Sequence, residues 1–342
     1  MAKRRTRATV WLGLALGLAC VALFTRNAPW REIGAVLAGA DVPTILAASV
    51  CLLMTSVARA WRWRQLLAGA PVSFRHRLTS TLIGFAGNNT LPGRLGEPLR
   101  CWVVTRLDGR IGFWQAAGSI VVERVFDLGA ALVLLVVFLV AAPFPPGTAV
   151  RDAAFLSRLR GEALIAGSLA AVAALGLVLF ARRRLATDSG RRGSLGARLA
   201  SLQAGIAGLR SGRSLGLAVF FTAVLWGSMV AFELLMLRAF GFTELGLPHA
   251  VGLLVVLSFA IALPQAPAGV GVVQLASETT LTALYGMPVD RAKAFAIGLW
   301  ICQVAVVVSA GAVALWAEGL SLADMRRARS AVDAFDQTPS PG

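Results

Sequence analysis

The stretch from residue 112 to residue 142 reads GFWQAAGSIVVERVFDLGAALVLLVVFLVAA, and its second half is almost wholly aliphatic. About 20 apolar residues are enough for a helix to cross the ~30 Å hydrocarbon layer of a bilayer, so this stretch predicts a membrane-spanning helix. It contains Glu123, Arg124 and Asp127, and the two acids share a helical face because they lie four residues apart. Charges inside a span are costly unless they face a cavity or one another. The alternative is that the span begins at Gly118 and the charges lie in the headgroup layer.

The composition of the whole chain agrees with a membrane protein. It has 342 residues, of which 57% are hydrophobic and 15% charged, and its mean hydropathy is +0.73. Soluble domains carry about 25% charged residues, so the composition excludes an ordinary soluble domain, and its low polarity excludes a disordered chain.

The four cysteines are scattered and form no Cys/His spacing of a metal site. We therefore expect no metal and no cofactor.

Six apolar runs predict six spans, and the basic residues orient them. With the N-terminus inside, 24 of the 33 Lys and Arg residues fall in cytoplasmic segments and 8 in external ones. This bias indicates that both termini are cytoplasmic. Because the basic residues follow the topology, we expect no nucleic-acid partner. The runs are 8–24, 44–60, 112–142, 162–181, 214–237 and 294–317.

Two further apolar stretches, 78–91 and 251–263, are too short to span comfortably and run into Pro and Gly. They predict re-entrant or half-helical segments, a backbone tolerated at membrane depth only where protein or a water-filled cavity covers it. Whether they span fully is left open. The backbone breaks are expected at Pro92, Gly93, Pro264, Pro267, Gly269 and Gly271.

The order of elements repeats in two halves, 8–142 and 162–317. Each half has a span, an amphipathic stretch (30–37 or 195–209), a second span, a broken segment and a third span. Three spans per half make the halves run in opposite directions, and paired broken segments in such a repeat indicate a transport site near the bilayer midplane. The prediction is an all-α membrane domain over residues 1–317, built as an inverted repeat, with a short cytoplasmic tail at 318–342.

Polar residues beside the two breaks form the predicted headgroup site. Arg94 and Arg100 have the donor geometry to grip a lipid phosphate, and Glu97 balances their charge. Pairing of either arginine with Glu123 or Asp127 is a natural hypothesis. The alternatives are an ordinary cytoplasmic loop at the first break and a packing break at the second. The full set is Asn88, Asn89, Arg94, Glu97, Arg100, Glu123, Arg124, Asp127, Gln265 and Gln274.

The Trp and Arg residues that close the second span, from Arg59 to Arg64, are interpreted as interface anchors. These residues, together with three other sequence motifs, resemble those of a known family. The chain resembles the lysylphosphatidylglycerol synthase/flippase transmembrane region, as in the membrane part of the bacterial multiple peptide resistance factor. The blocks are Arg59-Ala60-Trp61-Arg62-Trp63-Arg64-Gln65-Leu66-Leu67, Gly87-Asn88-Asn89 with Pro92, Arg94, Gly96-Glu97 and Arg100, Glu123-Arg124-Val125-Phe126-Asp127, and Pro267-Ala268-Gly269-Val270-Gly271.

The resemblance covers about residues 10–317, with two departures. Many members carry Glu where this chain has Gln274, and a basic residue is common in the last span where this chain reads Leu299-Trp300-Ile301-Cys302-Gln303. The resemblance implies a bacterial inner-membrane location and movement of a phospholipid, aminoacylated or otherwise polar, between leaflets. The family's aminoacyl transfer lies in a separate soluble domain, for which the tail after Ala317 leaves no room, so we expect no synthase activity.

Three functions follow from this reading. The first is a lipid translocase with a membrane phospholipid as substrate. The second is an intramembrane lipid-modifying transferase or hydrolase in which Glu97, Glu123 and Asp127 supply acid–base groups. The third is a non-transporting membrane partner. The sequence leaves homo-oligomerisation and a partner membrane protein open.

Overall fold

The computed structural model describes residues 2–26, 28–67, 70–91, 95–141, 161, 211–262 and 266–321, with side chains from residue 14 onward. Every regular element in these ranges is helical. The helices are α1 (Ala2–Thr25), α2 (Trp30–Ala38), α3 (Val42–Leu66), α4 (Phe74–Thr90), α5 (Gly96–Leu107), α6 (Phe113–Ala141), α7 (Gly212–Ala239), α8 (Leu247–Ala262), α9 (Val272–Thr279) and α10 (Val289–Ala317). A 3-10 turn (Pro267–Gly269) precedes α9, and a π-helical turn (Thr280–Leu284) follows it.

Four of these helices, α3, α6, α7 and α10, are long and apolar enough to cross a membrane. The stretch Leu14–Thr25 of α1 and helix α8 are shorter apolar helices. These findings confirm an all-α, multi-pass membrane protein. The predicted span 162–181 and the amphipathic stretch 195–209 lie outside the described residues.

The helix that contains the last predicted span is longer than the apolar run. Helix α10 begins at Val289, five residues before that run, and therefore includes Lys293. The helix starts directly after Pro288 and has Asp290 in its first turn, where an acid favours the positive end of the helix dipole. The hydropathy pattern misses the first turn of α10 because Asp290, Arg291 and Lys293 lower the mean hydropathy there without interrupting the helix.

The chain divides into two compact units. The first unit comprises Met1–Thr55, Val125–Gly176 and Thr222–Val306, and the second comprises Ser56–Arg124, Leu177–Phe221 and Val307–Gly342. The halves 8–142 and 162–317 were drawn from element order alone, and they stay a prediction.

In the second unit, α4 and α5 form a tight antiparallel hairpin around the first break. A Cβ atom built on Gly84 would lie 2.9 Å from both the Gly96 carbonyl oxygen and Arg100 Cβ, and one built on Gly87 would lie 2.9 Å from Leu99 Cδ2. The two backbones approach this closely because glycine has no side chain. The hairpin rests on a buried apolar cluster of Ile83, Leu99, Val103 and Ala314. The two helices on either side of the break thus pack closely against each other.

In the first unit, α8, the 3-10 turn and α9 form the second broken segment. Gly271 has φ +83°, and a Cβ atom there would lie 2.3 Å from the Gly17 carbonyl oxygen of α1. Both the backbone angle and the space therefore require glycine. Ala268, with φ 56°, also takes a left-handed conformation, as expected where a helix is interrupted.

Candidate functional site

Three arginines of the second unit converge on one buried acid, Glu123 of α6. Arg100 of α5 donates from Nη1 to Glu123 Oε2 at 2.5 Å, and Arg62 of α3 donates from Nη2 to Oε1 at 3.1 Å. Arg59, one helical turn before Arg62, places Nη1 3.9 Å from the same Oε1. The side chains of Glu123 and Arg62 are fully buried, and those of Arg100 and Arg59 are 5% and 10% exposed. We call these four residues the arginine cluster.

Aromatic packing holds Arg100 in place. The Arg100 guanidinium carbon lies 3.8 Å from the centroid of the Trp63 ring, a stacked cation–π contact. Trp63 is itself fully buried, and its indole N–H donates to Ser119 Oγ at 2.8 Å. The Arg59 guanidinium carbon similarly lies 4.9 Å above the ring of Phe85. The cluster is therefore built into the packed interior of the unit rather than spread on its surface.

One edge of the Arg100 guanidinium has no hydrogen-bond partner among the described residues. Its Nε and Nη2 atoms are buried and make no hydrogen bond within the part of the chain that the structure describes. A buried donor without a partner costs about 1–3 kcal/mol, more when it is charged, so such an edge requires an explanation. Nε–H and Nη2–H point the same way and form the fork that binds two oxygens of one phosphate or carboxylate. The edge therefore has the geometry of an anion site.

The sequence-predicted residues at the first break are partly drawn into the hairpin itself. Asn88 Oδ1 accepts from the backbone N–H of Gly96 at 2.9 Å, which caps the start of α5. Asn89 donates from Nδ2 to the Phe85 carbonyl oxygen at 2.9 Å. The structure thus gives both amides local backbone roles. Pro92, Gly93 and Arg94 lie outside the described residues.

The other charged residues predicted for the headgroup site differ in their exposure to solvent. Glu97 and Arg124 form a half-exposed pair, with 3.6 Å between Oε1 and Nε, whereas Asp127 is 9% exposed. Of the predicted pairings, the structure brings together Arg100 and Glu123. Exposed pairs contribute little, so we assign Glu97 and Arg124 to the rim of the site.

At the second break, Gln274 acts on the backbone. Its Oε1 accepts from the N–H of Gly271 at 2.8 Å and so caps α9. Pro267 and Gly269 form the 3-10 turn before that helix. Pro264 and Gln265 lie outside the described residues. The second break thus shows helix capping by Gln274 and a tight turn where the sequence had suggested a polar half-site.

Sequence reasoning missed several buried charges. Arg59 and Arg62 are buried, so their interpretation as interface anchors is wrong, and the physical reason is that α3 extends to Leu66 and carries them onto Glu123. Lys293 pairs with Glu278, and Glu233 lies 1% exposed inside the α7 span. Glu233 could have been found from the sequence, because it is an acid within the apolar run 214–237, and such a residue indicates a functional site.

The turn between α5 and α6 carries a separate ionic group. Asp108 accepts from Arg110 Nε at 2.7 Å and from Nη2 at 2.8 Å. The Arg110 hydrogen bonds lower the pKa of the Asp108 carboxyl to about 2. Among the described residues, His, Cys, Asp and Glu form no group of three or more that could hold a metal ion.

Comparison with known proteins gives two matches. The family model described as "Lysylphosphatidylglycerol synthase TM region" matches residues 10–311. The chain is also 33% identical over 138 residues to "Glycosyltransferase AglD" of Haloferax volcanii. That alignment covers 38% of this chain and 22% of the relative, so the chain spans only a minor part of that protein's length.

Proposed function

Because the chain belongs to the lysylphosphatidylglycerol synthase transmembrane-region family, we propose that it moves a phospholipid with a polar headgroup between the two leaflets of a membrane. The family match and the glycosyltransferase similarity both indicate a lipid-related membrane role. We place the protein in the bacterial inner membrane with both termini in the cytoplasm, an orientation supported by the bias of Lys and Arg.

The observation that carries the proposal is the unpartnered edge of Arg100. A lipid phosphate offers the oxygen pair that this edge is shaped to bind. Phosphate is also the one group that all phospholipid headgroups share. A phosphate-binding arginine inside packed protein has no evident purpose in a purely structural membrane partner, since replacing buried charges with apolar groups is often neutral or stabilising.

Glu123 supports a way to bind and release the phosphate. Without lipid, its carboxylate neutralises part of the arginine charge through contacts of 2.5 and 3.1 Å. An incoming phosphate adds a second anion at the Nε and Nη2 edge of Arg100, while Glu123 keeps its contact with Nη1. Because Glu123 already neutralises part of the arginine charge, the arginines attract the phosphate less strongly than bare arginines would. A carrier needs such a balance, because a site that binds too tightly cannot release its lipid.

The hairpin supplies the movable part. Arg100 Nε and Nη2 have almost no accessible surface in this conformation, so phosphate reaches them only after a local opening, which we propose to be a separation of α4 from α5. The two helices approach most closely at Gly84, Gly87 and Gly96, where glycine leaves no side chain between the backbones. We propose that opening of this hairpin admits the headgroup while the acyl chains stay in the hydrocarbon.

A lipid-modifying transferase is the second candidate. The similarity to a glycosyltransferase over 138 residues favours it. Acid–base chemistry would require a carboxyl group positioned at the reacting atoms. Of the three carboxyls predicted for this chemistry, Glu97, Glu123 and Asp127, Glu97 is the most exposed.

Translocation in proteoliposomes tests the proposal. The purified protein is reconstituted with headgroup-labelled anionic and zwitterionic phospholipids, and loss of label accessibility to an external quencher gives the rate. Arg100→Gln removes the charged fork, and its matched control is Arg106→Gln, an exposed arginine on the same helix. Charged hydrogen bonds contribute about 1.5–3 kcal/mol, so we expect a rate about 10- to 100-fold lower for the first variant and little change for the second. Equal translocation rates for the two variants would exclude Arg100 as the phosphate site. Chemical conversion of the reconstituted lipid would instead support the transferase.

A further inference from the structure

We propose that Glu233 of α7 is a proton-binding site that takes up and releases one proton each time the protein moves a lipid. This inference rests on the proposed function and adds a coupled proton to it. The residues that carry the inference all belong to the first unit. None of them is part of the arginine cluster or of the two broken segments.

Glu233 is an acid buried inside a span without a counter-charge. It is 1% exposed, and it forms no ion pair with the described Lys, Arg and His residues. The buried acids Glu123 and Glu278 differ in this respect, because each has a cationic partner, at 2.5 and 3.2 Å. A lone carboxylate away from water is far less stable than the neutral acid. Glu233 therefore holds a proton in this conformation.

One oxygen of this acid is unused. Glu233 Oε2 is buried and makes no hydrogen bond within the part of the chain that the structure describes. A neutral acid that only stabilised the fold would use both of its oxygens, since a buried polar atom without a partner costs free energy. An ionisable group at such a place in a span is typical of proton relays. The free oxygen is the position from which a proton can leave or arrive through water.

Polar side chains of two other helices lead to Glu233. Cys302 of α10 is close enough to Glu233 to interact with it electrostatically, and it is the titratable group that faces this acid. Its Sγ lies 3.5 Å from the Oγ of Ser49 on α3. Ser49 is partly exposed, and its hydroxyl both donates and accepts hydrogen bonds. We call Ser49, Cys302 and Glu233 the polar path.

The polar path lies near one end of the spans. The start of α3 meets the end of α7, where the Asp41 N–H donates to the Ala239 carbonyl oxygen at 2.9 Å. Ser49 follows the start of α3 and Glu233 precedes the end of α7 by about two helical turns, roughly 10 Å in each case. The two side chains therefore lie at a similar depth. This end is external in the proposed orientation, so we expect protons to enter from outside.

A second unpartnered group continues the path along α7. Trp226 lies seven residues before Glu233, almost two turns, so the two side chains share a face. The Trp226 indole N–H is buried and makes no hydrogen bond among the described residues. Such a donor can hold the oxygen of a water molecule, which accepts the proton that Glu233 releases. Two orphaned polar atoms on one buried face favour a proton route over simple packing.

Dicyclohexylcarbodiimide detects the protonated acid directly. The carboxyl proton moves to a carbodiimide nitrogen and the carboxyl oxygen bonds to the central carbon. The acyl group then shifts to nitrogen, which gives a stable N-acylurea without any leaving group. The full-length protein in nanodiscs is labelled between about pH 6 and 10, a range that includes the titration of known buried glutamates. Mass spectrometry locates and quantifies the labelled peptides.

We expect Glu233 to be labelled at least about tenfold faster than Glu123, because three arginines keep Glu123 charged. Labelling of Glu233 should fall as the pH is raised, since only the protonated acid reacts. A labelling rate no higher than that of Glu123, or one that does not change with pH, overturns the proposal.

Proton movement tests the coupling. Proteoliposomes enclose a pH-sensitive dye, and valinomycin with equal potassium on both sides holds the membrane voltage at zero. Phosphatidylglycerol is added to the outer leaflet, and its inward movement is recorded together with the internal pH. In the wild type we expect a pH change that accompanies lipid movement. Glu233→Gln, whose amide binds no proton, should reduce this change per lipid moved by at least about fivefold.

Two variants serve as controls for this measurement. Glu244→Gln removes a half-exposed acid that lies beyond the end of α7 and pairs with Arg291, and it should leave the pH change intact. Glu233→Asp keeps the acid and should retain a pH change. Lipid movement without any pH change in the wild type, or an unchanged pH change per lipid in Glu233→Gln, overturns the proposal and leaves translocation in place. A protein whose Glu233 is labelled as expected but which moves no lipid refutes the proposed function, and the coupling with it.

Discussion

Substitution of Glu123 by Gln tests the electrostatic balance of the arginine cluster. The change keeps the side-chain shape but removes the negative charge on which Arg59, Arg62 and Arg100 converge. All four side chains are at least 90% buried, so water cannot screen the arginine charges that remain. Removal of one partner from a buried ion pair costs about 3–5 kcal/mol.

The loss is measured as the midpoint of thermal unfolding of the detergent-purified protein. A cost of this size corresponds to a decrease of about 5–15 °C for a chain of this length. The matched control is Glu97→Gln, whose half-exposed pair with Arg124 is expected to contribute at most about 1 kcal/mol. Phospholipid should recover part of the loss in Glu123→Gln, because its phosphate supplies the missing charge. A midpoint within 1 °C of wild type, or equal recovery with a lipid that carries no phosphate, would contradict this assignment.

Two further predictions follow from the packing and the ionic turn. Gly96→Ala puts a Cβ atom 2.0 Å from the Gly84 carbonyl oxygen, so we expect the α4–α5 hairpin to be held open and translocation, which needs the hairpin to close again, to be lost. Gly216→Ala, whose Cβ meets nothing within 4 Å, serves as a silent control in the same assay. Because Arg110 lowers the pKa of Asp108 to about 2, this carboxylate contributes stability that is complete above its unfolded pKa of about 3.9 and is lost as pH falls through about 2. Asp108→Asn should therefore flatten the stability profile between about pH 4 and 2, and an unchanged acid slope would show that Asp108 is not the group responsible.

The long helices and their breaks could be predicted from the sequence because they depend on local properties. Apolar length sets helices α3, α6, α7 and α10, and Pro and Gly after residues 91 and 263 mark interruptions. The pairing of Arg100 with Glu123 could also be predicted, because an acid in a span needs a cationic partner and few basic residues lie near it in the sequence.

The rest of the site depends on tertiary contacts that no local pattern reports. Trp and Arg at the end of a span are typical of membrane interfaces, and only the depth reached by α3 shows that Arg62 faces inward. Asn88 looked like a ligand because it is polar beside a break, yet its Oδ1 accepts the N–H of Gly96 at the start of α5, a contact that only the tertiary packing of α4 on α5 reveals. Lys293 was missed because hydropathy places the start of α10 too late.

The most direct measurement is the distance between the lipid phosphorus and Arg100 in the bound state. The full-length protein, with labelled arginine guanidinium carbons, is reconstituted with phospholipid, and carbon–phosphorus dipolar dephasing is recorded by solid-state NMR. Comparison with Arg100→Gln isolates the signal of this one arginine. We expect a phosphorus-to-Cζ distance of roughly 4 Å, as in a two-bond arginine–phosphate contact, and loss of this dephasing in the variant. Identical dephasing in the two proteins would contradict the claim that Arg100 holds the lipid phosphate.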